Sequence, residues 1–254
     1  MSDGTGRHAV IVGAGLGGIG AAGSLAAAGW RVSVFEKNEH VGGKLNLLER
    51  EGFCFDLGPS ILTMPHVFEK LFARAGKRFT DYVPTRHLSP HWRNFFEDGT
   101  RIDLHPGAAE TVENSPSLGE ADRADLQRFL AHSKRLYEKC EHSYFDLGLD
   151  TAWEMTRHHG VFTALFGFDL FSSMHSGACR YVRNRHLSSV LEFFVKYVGS
   201  SAFDAPGVLN LLPHVQAEFG LLYVDGGLYK LALGLRRFLE DVGVELNLGA
   251  EVKE

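Results

Sequence analysis

The chain has 254 residues, 26 basic and 31 acidic side chains, a net charge of −5 and 44% hydrophobic residues. That length allows a sizeable core in one large domain or two smaller ones, and the mild acidity gives no support to nucleic-acid binding, which favours basic surfaces. The cysteines, Cys54, Cys140 and Cys179, are odd in number and far apart, which reads as free buried thiols in a reducing cytosol rather than a disulfide framework.

Residues 9–12 read as a short apolar strand. Gly13, Gly15 and Gly18 then form a G-x-G-x-x-G turn that opens a helix to about Ala28, and Gly29 ends it. Arg31 to Phe35 is a second strand with Glu36 at its C-terminal end. Strand, glycine turn, helix, strand and acid in this order form a βαβ dinucleotide-binding pattern. Gly13 permits the tight turn, Gly15 lets the backbone approach a pyrophosphate, and Gly18 with Ala22 lets the helix lie on the sheet. The helix N-terminus offers N–H groups and partial positive charge to phosphate. Glu36 can accept ribose hydroxyls and would repel a 2′-phosphate, which argues against NADP. A membrane span over the uncharged residues 9–30 is rejected, because the stretch holds seven glycines and starts as strand. No signal-peptide pattern precedes it, and a cytoplasmic location is expected.

Downstream, Gly52 to Asp56 reads as strand, followed by the rigid Gly58-Pro59-Ser60 loop and a helix from Pro65 to Ala75. Segments 94–97 and 100–104 alternate around Asp98-Gly99, a hairpin signal. Helical periodicity covers 121–142, 151–165, 168–176 and 186–197, and Asp204-Ala205-Pro206 starts a helix to about Phe219. Residues 221–224 read as strand, 229–242 as helix and 244–248 as a last strand that extends toward Val252. The predicted organisation is therefore α/β at the ends (1–90 and 220–254) with a mainly helical insertion (91–219) forming a cap or substrate region.

Two features favour a flavin over a nicotinamide dinucleotide. Gly42-Gly43 permits a second close backbone approach to the pyrophosphate, beside Lys44, which can neutralise phosphate; an ordinary turn is the alternative. The second feature is the Gly58-Pro59-Ser60 loop itself.

Gly13-x-Gly15-x-x-Gly18-x-x-x-Ala22, Glu36, Gly42-Gly43-Lys44, Phe55-Asp56-x-Gly58-Pro59-Ser60 and Tyr223-x-x-Gly226-Gly227 together resemble the flavin-dependent phytoene desaturase family. Residues 91–99 and 196–201 resemble its bacterial C30, diapophytoene-type branch. The resemblance implies a Rossmann-like FAD-binding domain of the glutathione-reductase and amine-oxidase type. It implies that Gly13, Gly15 and Gly18 hold the FAD pyrophosphate, that Glu36 holds the adenosine ribose, and that Leu16 and Lys37 belong to the cofactor site. Gly43 and Lys44 would complete the phosphate site, Gly58, Pro59 and Ser60 would lie near the flavin ring, and Val252 would offer backbone to the adenine. Many C40 desaturases have Pro where this chain has Val224. Family members are about twice as long and carry a further glycine motif, so the chain reads as a truncated, N-terminal half, expected to bind FAD weakly by itself.

The implied activity is desaturation of a carotenoid or apocarotenoid polyene by hydride transfer to flavin. Phe162, Phe166, Phe168, Phe171, Phe193, Phe194 and Tyr197 could line an apolar tunnel, or be ordinary core. Arg180, Arg183, Arg185 and Lys196 beside aromatics read either as a peripheral membrane surface or as a solvated helix face. An amine or porphyrinogen oxidase of the same fold, and a non-catalytic nucleotide- or lipid-binding fragment, are the alternatives. No catalytic acid or base can be named. Asp56 and Asp225 read as turn caps, and no metal site is expected: His158-His159 are adjacent, and Pro90 separates His87 from His91.

Overall fold

The computed structural model describes residues 6–145, 147–149 and 151–253, with the side chains of 152, 165 and 166 left aside. These fall into two compact units, Met1–Leu88 with Leu221–Glu254, and Ser89–Gly220. The first unit begins with β1 (His8–Val12), α1 (Leu16–Ala27), β2 (Arg31–Phe35), β3 (Asn46–Arg50), β4 (Phe53–Leu57), α2 (Pro65–Arg74) and β5 (Thr85–His87). The second contains β6 (Trp92–Phe95), β7 (Arg101–Leu104), α3 (Ala108–Glu113), α4 (Glu120–Cys140), α5 (Ala152–His159), α6 (Val161–Phe166), α7 (Met174–Cys179), α8 (Arg185–Glu192) and α9 (Leu212–Phe219). The chain re-enters the first unit through β8 (Leu222–Val224), α10 (Tyr229–Asp241) and β9 (Glu245–Asn247).

In the first unit β1, β2 and β9 form a parallel sheet in that order. Val34 pairs with Ile11 on one side and Leu246 on the other, so strands more than two hundred residues apart share one ladder. Parallel strands need crossover connections, and α1 supplies the one between β1 and β2. The consecutive residues Val32, Ser33 and Val34 of the central strand are all buried, the pattern of a strand covered on both faces. Helix α1 reaches α10 through Gly23, where a Cβ would lie 2.7 Å from the Phe238 ring. Phe238 packs against Phe72 at 4.1 Å between centroids with the rings tilted by 35°, and Phe79 and Tyr82 join the same cluster. Truncating a buried ring of this kind to Ala costs about 3–5 kcal/mol.

The returning strand is shorter than predicted. β9 ends at Asn247, after which Gly249 N–H donates to Asn38 C=O and Ala250 N–H to Glu36 C=O. Gly249, at φ +64°, turns the chain there, so Val252 lies beyond the sheet and is half exposed. β3 and β5 were not read from the sequence. β3 pairs with β4 as an antiparallel ribbon and β5 pairs with β8. Both are short and largely exposed, so neither carries an alternating apolar face.

In the second unit β6 and β7 form the hairpin, with Trp92 opposite Leu104 and Phe95 opposite Arg101. Its first strand lies two residues earlier than predicted, because residues 97–99 form the loop that Phe96 N–H closes onto Thr100 C=O. α4 buries Leu126, Phe129, Ser133, Leu136 and Cys140 along one stripe, the three-and-four spacing of an amphipathic helix. The predicted helix over 151–165 is two helices, because Gly160 adopts φ +78° and ψ 157° and breaks it. The predicted helix over 168–176 starts only at Met174, where the Ser173 hydroxyl accepts Ser176 N–H as an N-cap. Helix 186–197 changes to a 3-10 turn at Phe193, and Gly207–Leu211 is likewise 3-10 before α9. The short α3 was not predicted.

Candidate functional site

The glycine turn between β1 and α1 is pinned from three directions. Gly13, at φ +95°, donates its N–H to Phe35 C=O at the end of β2. Ala14 N–H donates to Glu36 Oε2 at 2.7 Å, and Ala14 C=O accepts Gly42 N–H at 2.8 Å. Gly18 packs so tightly on the turn that a Cβ there would lie 2.0 Å from Gly13 O. Gly15 caps α1 with an extended backbone and no side-chain cap, leaving the first N–H groups of the helix without partners inside it.

A second glycine pair closes on the first. Gly15 and Gly42 form a parallel bridge, and a Cβ on Gly43 would approach Gly15 Cα to 3.1 Å. Gly42 is the buried member of the pair; a Cβ on it would meet Leu45 O at 2.6 Å and Ala232 at 2.9 Å. Gly43 and Lys44 are exposed beside it, as are Leu16 and Lys37. Gly58, at φ +140°, would place a Cβ 2.4 Å from Lys44 O, so the Gly58-Pro59-Ser60 loop, itself exposed, packs its backbone on the Gly42-Gly43-Lys44 turn. Gly13, Gly15, Gly18, Gly43, Lys44 and Gly58 thus converge on one cradle in which bare backbone faces bare backbone. That cradle fits a pyrophosphate bound at a helix N-terminus.

Glu36 is 6% exposed. Its second oxygen, Oε1, accepts Asn38 N–H at 2.9 Å and Asn38 Nδ2 at 2.6 Å. Burial alone would raise its pKa, but the hydrogen bonds from Asn38 and Ala14, with nearby His40, hold it below the ordinary value. The carboxylate therefore stays charged and ties the end of β2 to the glycine turn, with acceptor capacity left for a ligand hydroxyl. The sequence reading missed Asn38; an Asn two residues after a strand-end acid was the available signal.

Asp56 caps a helix rather than a turn. Its carboxylate accepts the N–H groups of Leu228 and Tyr229, at 2.8 and 3.0 Å, at the start of α10. Asp225 pairs with Arg86 at 3.4 Å.

The phenylalanines read as either tunnel lining or ordinary core do not share one setting. Phe168 and Phe194 are core, at 2% and 1% exposed, whereas Phe162 and Phe171 are 82% and 76% exposed. The Phe166 side chain lies outside the described residues. The basic residues are also engaged: Arg180 meets Asp169, Arg183 meets Asp125 and Arg185 meets Asp98. Lys196 sits over the Trp92 ring at 3.2 Å and beside Phe193 at 4.3 Å, where burial lowers its pKa to about 8. Only Cys140 of the three free cysteines is buried; Cys54 and Cys179 are exposed, against expectation. Among the described residues no helix is long and apolar enough to cross a membrane.

Comparison with known proteins bears on the family and the fold. Residues 11–79 match the family described as NAD(P)-binding Rossmann-like domain. The whole chain is 48% identical to a 4,4′-diapolycopene oxygenase of Methylomonas sp, of which it covers 51%. Over 246 residues it is 44% identical to a 4,4′-diaponeurosporene oxygenase of Staphylococcus aureus, of which it covers 50%. The chain spans about half the length of the curated relatives it matches. The resemblance to carotenoid-desaturase flavoproteins read from the motifs is borne out by these relatives. Among solved structures, the PF1083 protein of Pyrococcus furiosus matches with a TM-score of 0.62 at 21% identity, over 98% of this chain and 53% of that one. A putrescine oxidase bound to putrescine matches with a TM-score of 0.62 at 16% identity, over 95% and 51%. The fold is the expected one, a Rossmann-like α/β domain shared with that putrescine oxidase.

Proposed function

We propose that the first unit binds FAD and that the protein carrying this chain is an FAD-dependent oxidoreductase of a C30 carotenoid polyene. The observation that carries this reading is the double glycine contact, Gly13 to Gly18 against Gly42 and Gly43. One glycine turn suffices for any dinucleotide; the second backbone surface, buttressed by Gly58, gives the pyrophosphate a further wall. Gly13, Gly15, Leu16 and Gly18 would hold the phosphates with Gly43 and Lys44, and Glu36 with Lys37 would hold the adenosine ribose. Gly58, Pro59 and Ser60 would border the ring, and Val252, where the chain leaves β9, would face the adenine. When bound, the flavin supplies the two-electron acceptor for the chemistry.

Both desaturation and oxygenation begin with oxidation at an allylic C–H of the polyene. The relatives are named oxygenases, which favours oxygenation; the motifs favour desaturation. For desaturation, hydride transfer to the flavin with loss of a proton from the neighbouring carbon would form the new double bond, with the protein orienting the polyene and excluding water; oxygenation would need an oxygen donor, O₂ or water, in addition. A lipophilic substrate calls for contact with a lipid phase, and the exposed Trp153, Phe162 and Phe171 support peripheral membrane association better than the paired arginines do.

The binding claim is tested by titrating the chain with FAD, FMN, NAD and NADP. FAD is expected to bind most tightly, with ADP competing and Gly15→Val abolishing binding. Equal or tighter NADP binding, or FAD binding that Gly15→Val leaves intact, overturns it. The substrate claim is tested by supplying the protein that carries this chain with diapophytoene-type polyenes and with primary amines. Conversion of the amines alone would assign it to the amine-oxidase reading instead.

A further inference from the structure

Helices α7 and α8 of the second unit bring together side chains that the dinucleotide site does not use. His175 and Cys179 stand one turn apart on α7, and Ser188 and Glu192 stand one turn apart on α8. Residues four apart on a helix share a face, and the two faces meet. His175 Nδ1 lies 2.8 Å from Glu192 Oε1. Cys179 Sγ lies 3.7 Å from His175 Nε2 and 3.4 Å from Ser188 Oγ. Ser188 Oγ donates to Glu192 Oε1 at 2.8 Å. One ligand atom each from His175, Cys179 and Glu192 falls within 4.8 Å of the others.

We propose that His175, Cys179 and Glu192 form a site for a thiophilic divalent cation, Zn²⁺ by ligand chemistry. A thiolate, an imidazole and a carboxylate are the three donor types zinc takes. Hard cations are disfavoured, since Ca²⁺ and Mg²⁺ seek six or more oxygen donors. Zinc bonds of about 2.0–2.3 Å in a tetrahedron place ligand atoms roughly 3.3–3.8 Å apart, so the present separations need only small side-chain adjustments.

The scaffold is fixed on both sides. Ser173 caps α7, and Asn184 caps α8 by accepting His186 and Leu187 N–H. Met174, Ala178, Leu187 and Leu191 anchor the two helices in the core. The Phe203 ring lies 4.4 Å from the His175 ring and restrains it. Ser188 orients the Glu192 carboxylate, as supporting groups commonly orient metal ligands. The His175 side chain is 35% exposed and that of Glu192 17%, so an ion can enter from solvent and water can complete the tetrahedron. Binding releases the Cys179 thiol proton as the thiolate–metal bond forms. The signal in the sequence is His175-x-x-x-Cys179, one helical turn.

Co²⁺ is the probe, because its thiolate bond gives a near-ultraviolet charge-transfer band. The purified protein is expected to take up one Co²⁺ with that band, and Zn²⁺ is expected to displace it. Cys179→Ser should abolish the band. Glu192→Gln should weaken Zn²⁺ binding by at least about tenfold. Cys54→Ser, which changes the other exposed thiol, should change nothing. Alkylating the thiols of the folded wild type, with circular dichroism to verify that the fold persists, repeats the test without a variant. No charge-transfer band in the wild type, a band that survives in Cys179→Ser, or one lost in Cys54→Ser overturns the assignment.

Discussion

Asp56 Oδ2 accepts the backbone N–H of Leu228 at 2.8 Å across 172 residues of chain. The same carboxylate holds Tyr229 N–H, and a Cβ on Gly227 would lie 2.8 Å from Oδ2. The Phe-Asp-x-Gly-Pro-Ser motif and the Tyr-x-x-Gly-Gly motif are thus two halves of one contact. The first places an acid, and the second keeps the backbone bare enough for that acid to reach a helix N-terminus, where negative charge is favourable.

Asp56→Ala is therefore expected to lower stability by about 1–2 kcal/mol, the range for losing a helix cap. Asp56→Asn, which keeps an oxygen acceptor but loses the charge, should lose less. Urea unfolding of the two variants measures this. Equal stability of wild type and Asp56→Ala would show that the N–H groups are satisfied by water at no cost.

Neighbouring glycines of α1 should respond in opposite ways. Gly18→Ala drives a methyl into Gly13 O, whereas a Cβ at Gly17 meets nothing within 4 Å. Gly17 sits in a helix, where Ala is preferred over Gly by about 1 kcal/mol. Gly17→Ala should therefore hold or raise the melting temperature of the unliganded protein. Gly18→Ala should lower it and remove detectable FAD binding. Thermal unfolding and flavin titration, run on both variants, check the pair.

The parts legible in the sequence are those whose physics is local. Gly13 to Glu36 could be read because each residue acts within one βαβ unit. Asn38 and Gly42 could not be read with the same detail, since their roles depend on where β2 and the next turn bring them. The Gly160 break was missed because the periodicity of α5 continues into α6 across it. The phenylalanines stayed open between tunnel and core for a related reason: apolar character is the same in a core residue such as Phe168 and an exposed one such as Phe162, and only packing separates them.

Three carboxylates should make the protein acid-sensitive. The Arg183 guanidinium holds Asp125 below its ordinary 3.8, with Arg183 N–H and Arg128 adding to it. Arg93, bonded to both oxygens of Asp103, does the same there. At Glu36 the hydrogen bonds outweigh burial. All three pKa values are lower folded than unfolded, so the unfolded chain binds more protons as the pH falls. Their stabilisation is complete above the ordinary carboxylate range and is lost as the pH drops through it toward the folded values. The urea midpoint is expected to fall steeply below about pH 4.5. In Asp125→Asn it should be lower at pH 7 and less steep in acid; an unchanged slope would mean that Asp125 titrates alike in both states.

Glu36→Gln separates the two jobs assigned to this side chain. The amide keeps the size of the carboxylate but offers one acceptor oxygen and one donor nitrogen. In the folded chain, one oxygen of Glu36 receives Ala14 N–H and the other receives Asn38. Whichever way the amide turns, its NH₂ faces an N–H, so one buried donor goes unsatisfied. The cost of such a donor is about 1–3 kcal/mol, and it should appear in the unliganded protein as a lower urea midpoint. If Glu36 also accepts ribose hydroxyls, affinity for FAD and ADP should drop together, while binding of inorganic pyrophosphate, which touches only the glycine turn, should drop less. Loss of stability with no change in ADP affinity would leave Glu36 as a fastener of the turn and move ribose recognition to another residue.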